Sequence, residues 1–132
     1  MKEKASIAAE DYLEALYELI EQKGFATTGT VAERVGVHPS TATRMLKKLD
    51  GQGLAKFYPY SNATLTNRGK QIGQKIHERH KVLDVFLQLL GIDDCEKRAQ
   101  DIEGLEHHLS EETLRALESL TVYLKEHSHD KR

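Results

Sequence analysis

Apolar residues recur at helical spacing along most of this chain, and they predict six helices around one short pair of strands. Leu13, Leu16, Tyr17 and Ile20 share one face of a helix predicted over residues 7–23 and ended by Gly24, while Asp11, Glu14, Glu18 and Glu21 line the other side. Thr30–Val35 reads as a short second helix. Ala32 is small where two helices approach, and Gly36 can take the positive φ of a turn. Pro39 suits the first turn of a third helix running to about Asp50, with Met45, Leu46 and Leu49 facing inward. Leu54–Tyr58 and Ala63–Thr66 predict short strands joined by Pro59-Tyr60-Ser61-Asn62. A long helix from Asn67 to Leu90 carries Ile72, Ile76, Leu83, Leu87 and Leu90 in one stripe and closes at Gly91. Two more helices are expected near residues 94–109 and 111–126. Ser110 would cap the last, whose Leu114, Leu117, Leu120 and Leu124 repeat at helical spacing. The tail His127–Arg132 is expected to fray.

This order predicts a mainly α fold, with a winged helix-turn-helix domain over residues 1–71 and a helical domain over 72–132. At 132 residues the chain can bury one good core or two small ones. The helical part is too short for a convincing independent core, so its leucine-rich faces predict packing against a second copy as a two-fold homodimer.

No stretch approaches a membrane-spanning run of apolar residues, and acidic residues at 10, 11 and 14 interrupt any signal-peptide core. The single Cys95 excludes an intramolecular disulfide and a four-cysteine zinc site. These features predict a cytoplasmic protein.

The net charge of −2 hides a division. Residues 23–81 hold eleven Lys and Arg against Glu33, Asp50 and Glu78, or +8; residues 1–22 sum to −4 and residues 82–132 to −6. A basic middle between acidic ends predicts a polyanion-binding surface. Within it, Pro39 opens a helix carrying Ser40, Thr41, Thr43, Arg44, Lys47 and Lys48 away from its apolar side. Arg and hydroxyl side chains can reach base edges in a major groove, and lysines suit phosphates. Lys56 and the loop 58–62 would form a wing beside them. The competing reading is a winged helix used for protein contacts, with the same cations merely solvated.

Candidate metal chemistry lies outside the basic region. On a helix at about 100° per residue, Glu103, Glu106 and His107 fall within an arc of roughly 100°, opposite Ile102, Leu105 and Leu109. Carboxylates and an imidazole converging beside an apolar face can hold a divalent cation, although Glu-rich faces are often only solvated. His108 points to the apolar side and is expected either to pack or to support a ligand from behind. Asp11 and Glu14 project together, but periodicity does not separate them from the acidic face they share with Glu18 and Glu21. His80 lies at the edge of the apolar stripe, where a histidine is either a core side chain or a ligand. His38, His77, His127 and His129 carry no spacing argument, beyond a tail pair able to take stray metal.

The run Ala9-Glu10-Asp11-Tyr12-Leu13-Glu14 belongs with Val37-His38-Pro39-Ser40, Lys48-Leu49-Asp50, Arg79-His80 and Asp101-Ile102-Glu103-Gly104-Leu105-Glu106-His107-His108-Leu109. Together these segments resemble the diphtheria-toxin-repressor family, and more narrowly its short manganese transport regulators. The resemblance covers nearly the whole chain, and the last nine-residue motif is highly specific. It implies a winged-helix DNA-binding domain, a helical dimerisation domain and a two-metal site between them. By position it assigns Asp11, Glu14, His80, Glu103, Glu106 and His107 as ligands. Iron-responsive relatives carry sulfur residues at the positions of Asp11 and Glu103; carboxylates there resemble the manganese branch. The chain has no room for the small barrel domain that longer relatives append. Its C-terminal end is also short for the branch, so the last dimer helix is expected to be absent or reduced.

Four carboxylates and two imidazoles without a thiolate suit a hard or borderline ion such as Mn²⁺, two per subunit by the resemblance, and also accommodate Fe²⁺, Co²⁺, Cd²⁺ or Zn²⁺. Cys95 is not expected to ligate. The expectation is therefore a manganese-activated repressor, not an enzyme, binding palindromic double-stranded operator DNA as a homodimer and controlling manganese uptake genes. Two other classes compete: a di-metal hydrolase or oxidase, and a winged-helix regulator gated by an organic ligand.

Overall fold

The computed structural model describes residues 6–128. They form α1 (Ile7–Lys23), α2 (Thr28–Val35), α3 (Pro39–Gly51), β1 (Ala55–Phe57), β2 (Ala63–Leu65), α4 (Asn67–Leu89), α5 (Cys95–Leu105) and α6 (Glu111–Ser128). Two compact units divide between His77 and Glu78, within α4.

Local chemistry sets the helix ends in the first unit. The Ser6 hydroxyl accepts from the Ala9 N–H at 3.1 Å, and Gly24 closes α1 at φ 84°. α2 begins two residues before the expected position, because Thr27 and Thr30 form a reciprocal capping box: each side chain accepts the other's backbone N–H, at 3.1 and 2.9 Å. Gly36 then adopts φ 86°, the turn conformation that its lack of a side chain predicted. His38 caps α3, its Nδ1 accepting from the Ser40 N–H at 3.2 Å, a role that spacing alone did not reveal.

The core of this unit joins Leu13, Leu16 and Leu19 of α1 to Val31 and Ala32 of α2, Leu46 and Leu49 of α3, and Leu54, Ala55, Phe57 and Ala63 around the hairpin. Fully burying a leucine of this kind contributes about 1.5–3 kcal/mol. The apolar face of α1 is wider than expected, with Ala9, Tyr12 and Ala15 buried and Tyr17 and Ile20 only half-buried. Burial raises the pKa of the Tyr12 hydroxyl above its ordinary value. The strands are shorter than predicted and pair antiparallel in the register Ala55↔Leu65, Lys56↔Thr64, Phe57↔Ala63. Asp50 ties them to α3 by accepting the Phe57 N–H at 2.8 Å. Gly73 on α4 permits a close approach to α1, since a Cβ there would sit 2.6 Å from the Leu13 carbonyl oxygen.

In the second unit, Asp94 caps α5 through the Glu96 N–H at 2.9 Å, and Ser110 caps α6 through the Thr113 N–H at 3.1 Å, as expected. Arg98 joins α5 to α4 through Asp84 at 2.7 Å and reaches the Ile92 carbonyl at 2.9 Å. Leu83 and Ile102 are fully buried, but other apolar positions are not. Leu90 lies beyond the last turn of α4 and is exposed, although periodicity placed it in the buried stripe. Leu120, Val122 and Tyr123 of α6 are exposed as well, and Leu114, Leu117 and Leu124 are half-buried. α6 continues through Ser128, so the expected fraying at His127 is corrected; residues 129–132, including His129, lie outside the described residues.

Candidate metal centre and nucleic-acid interface

The clearest departure from periodicity falls on the metal motif. α5 stops at Leu105, Glu106 is its C-cap, and residues 106–108 form a turn, so the expected helix over 94–109 is not continuous. Glu106 nevertheless keeps helical φ −65° and ψ −24°, with its N–H on the Ile102 carbonyl, so Glu103, Glu106 and His107 still converge, as the spacing predicted. Leu105, assigned to the packed side, is 41 % exposed, whereas Glu106 is 1 % exposed. His108 is exposed and does not pack as expected. A carboxylate is thus buried where a leucine is not, which is expensive unless the carboxylate has a partner.

The partners are imidazoles. His80 Nδ1 of α4 lies 3.4 Å from Glu106 Oε1, and His107 Nε2 lies 3.6 Å from Glu106 Oε2 and 3.7 Å from Glu103 Oε2. The side chain of His107 is buried, that of His80 is partly exposed and Glu103 reaches solvent. Glu106 Oε1 is buried and has no hydrogen-bond partner among the described residues. Separations of 3.4–3.7 Å are long for hydrogen bonds. They match donors around one cation, since bonds of about 2.0–2.6 Å put neighbouring ligand atoms roughly 3–3.7 Å apart. A buried carboxylate with one orphaned oxygen and an imidazole facing each oxygen fits a divalent ion. His80 is thus a polar neighbour of Glu106 rather than a core histidine.

In the first unit, Asp11 and Glu14 are half-buried on α1, unlike the exposed Glu21. Glu18 is not part of a solvated face either. Its carboxylate takes the Arg34 guanidinium at 2.7 Å on one oxygen and His77 Nδ1 at 2.9 Å on the other, and His77 packs its ring against Tyr17. Glu14, Glu18 and His77 bring ligand-type atoms together, but Arg34 and His77 already satisfy Glu18. The network fastens α1 to α2 and α4. Sequence reasoning missed it because Glu18 and His77 are far apart in the chain.

Of the residues assigned to DNA, Pro39, Ser40, Thr41, Arg44, Lys47 and Lys48 are exposed on α3, Thr43 is half-buried, and Lys56 is exposed on β1. Ser40 is partly committed locally, its hydroxyl 2.9 Å from His38 Nδ1. A cleft of about 540 Å³ runs between the start of α2, Thr43 and Lys47 of α3, and the loop 57–62. At the tip of that loop Tyr60 adopts φ 62° and is fully exposed. A hydroxyl- and lysine-lined cleft beside a protruding hairpin suits a sugar-phosphate backbone.

Residues 5–63 match the N-terminal DNA binding domain of the iron dependent repressors, and residues 66–132 match their metal binding and dimerisation domain. The chain belongs to the iron dependent repressor family. This bears out the resemblance read from the residues and the two-part, mainly α architecture. The family consists of transcriptional regulators, so the di-metal enzyme alternative is set aside. The chain is 42 % identical over 117 residues to the HTH-type transcriptional regulator MntR of Bacillus subtilis, covering 89 % of this chain and 82 % of that protein. Among solved structures, the manganese regulator SloR superposes with a TM-score of 0.75 at 26 % identity, over 87 % of this chain and 54 % of that one. ScaR with bound Zn²⁺ gives 0.68 at 31 % identity, over 87 % and 54 %. The chain thus spans about half the length of these solved structures. Among the described residues, no helix is long and apolar enough to cross a membrane.

Proposed function

We propose that this repressor-family protein is activated by manganese, binds palindromic operator DNA as a homodimer in the cytoplasm, and controls manganese uptake genes. The observation that carries the metal reading is the buried Glu106 carboxylate, with one oxygen lacking a hydrogen-bond donor among the described residues and an imidazole facing each oxygen. Asp11, Glu14, His80, Glu103, Glu106 and His107 would hold the metal, two ions per subunit. The likeness to manganese regulators supports Mn²⁺, and the absence of thiolates from this donor set agrees with it. The same donors accommodate Fe²⁺, Co²⁺, Cd²⁺ and Zn²⁺, and a relative with bound Zn²⁺ is consistent with that breadth.

When bound, the cations supply positive charge that offsets four carboxylates. Asp11 and Glu14 belong to the unit that carries α3, whereas His80, Glu103, Glu106 and His107 belong to the other. Recruiting both groups of donors links metal occupancy to the freedom of the DNA-reading unit. In a dimer, less freedom narrows the separations sampled by the two recognition helices. A palindrome with fixed half-site spacing selects the competent separation, so apparent affinity rises. A coupling of about 1–3 kcal/mol makes DNA binding roughly 5–150-fold tighter. The exposed Leu120, Val122 and Tyr123 of α6 support a second copy as the dimer partner.

Fluorescence-anisotropy titration of operator DNA, with Mn²⁺ and with chelator, tests this reading. Tighter binding only with Mn²⁺ is expected. Equal affinity in both conditions rejects it.

A further inference from the structure

Arg79 adjoins the proposed ligands without being one of them. Its side chain is only 15 % exposed. Nη1 donates to the main-chain carbonyl of Glu106 at 3.2 Å, Nη2 donates to the Glu111 carboxylate at 2.7 Å, and the buried Nε has no hydrogen-bond partner among the described residues. These two bonds hold both ends of the connection between α5 and α6, the segment that carries Glu106 and His107. His80, the next residue on α4, faces the Glu106 carboxylate. Two successive residues of one helix therefore engage Glu106, Arg79 at its main chain and His80 at its side chain.

An ion pair with Glu111 does not account for this burial. Glu111 is half-exposed, and such a pair forms equally well at the surface, where neither charge loses its water. Burying a guanidinium with one N–H unsatisfied works against stability. What burial achieves is access to the Glu106 carbonyl. α5 ends at Leu105, so no further helical turn takes up that carbonyl. The planar guanidinium can address a carbonyl and a carboxylate at once, which a lysine ammonium does less rigidly.

We infer that Arg79 is a positioning residue for the cation site: it clamps the α5–α6 turn so that the Glu106 carboxylate and the His107 imidazole converge before a cation arrives. This inference rests on the metal reading above. Outer groups that orient metal ligands typically govern about 10–100-fold in metal affinity.

The test is Mn²⁺ titration calorimetry on the demetallated full chain, with thermal unfolding in chelator, for wild type, Arg79→Met, Arg79→Lys and Glu111→Gln. Methionine keeps much of the apolar stem and removes the donors. Replacing a buried ion by an apolar side chain is often neutral or stabilising, so the chelator midpoint should stay within about 3 °C of wild type or rise. Mn²⁺ affinity should fall about 10–100-fold in Arg79→Met and by an intermediate factor in Arg79→Lys. Glu111→Gln spares the bond to the carbonyl and should change affinity less than about threefold. Unchanged affinity in both Arg79 variants overturns the inference. Loss of a cooperative chelator-state transition in both also overturns it, since Arg79 would then serve folding. Failure of the wild type to take up Mn²⁺ sinks the metal reading and this inference together; normal wild-type uptake with unaltered Arg79 variants sinks this inference alone.

Discussion

Glu106→Gln should make the metal-free protein more stable and the metal-loaded protein relatively less so. The carboxylate is 1 % exposed, and its Oε1 has no hydrogen-bond donor among the described residues, with His80 Nδ1 at 3.4 Å. A buried polar group left unsatisfied costs about 1–3 kcal/mol. An amide of nearly the same shape removes the charge and retains one acceptor and two donors for the neighbouring imidazoles, so relief of about 1 kcal/mol is expected. With an unfolding entropy of about 2.1 cal/mol/K per residue, a chain of 132 residues gains roughly 4 °C from that relief. Mn²⁺ acts in the opposite direction. At a free concentration about 100 times its Kd, a ligand specific to the folded state adds about 2.7 kcal/mol, or roughly 10 °C on the same scale. The variant should lose most of this increment. Differential scanning calorimetry in chelator and in excess Mn²⁺ should therefore show the two proteins exchange order. A lower midpoint for the variant in chelator, or an undiminished Mn²⁺ increment, refutes the reasoning.

Arg44→Ala should weaken operator binding and relax base preference, costing about 1–3 kcal/mol on the specific site, whereas Lys56→Ala should weaken specific and scrambled duplexes alike. Anisotropy titrations on both duplexes check this, and equal losses on the two duplexes for Arg44→Ala contradict its role in base reading. Gly73→Ala should destabilise the first unit by about 1–3 kcal/mol, because the added Cβ meets the Leu13 carbonyl oxygen at 2.6 Å and Tyr17 Cβ at 3.0 Å. Urea unfolding followed by circular dichroism measures the change; an unaltered midpoint means α1 and α4 can separate without penalty. Glu103→Cys should move the metal response towards softer ions. DNA affinity measured across a series of divalent metals reports the shift, and an unchanged ranking removes Glu103 from the selectivity argument.

Local chemistry determined much of this protein without reference to its fold. The helical spacing on α1, the turn conformation of Gly36, proline at the start of α3 and the Ser110 cap all act within a few residues, and the structure places them where spacing did. The basic face of α3 was legible for the same reason: cations opposite a buried stripe must point outward. Only tertiary structure decided the environment of the α5–α6 turn. Periodicity puts Leu105 on the apolar side and Glu106 on the polar one, but Leu105 is exposed and Glu106 is buried beside His80 and His107. His80 acquires its meaning from Glu106 and Glu18 acquires its from Arg34 and His77, residues brought near by the path of the chain. Helical repeats report which side of one element is apolar. They carry no information about which polar groups a distant element will bring to the other side.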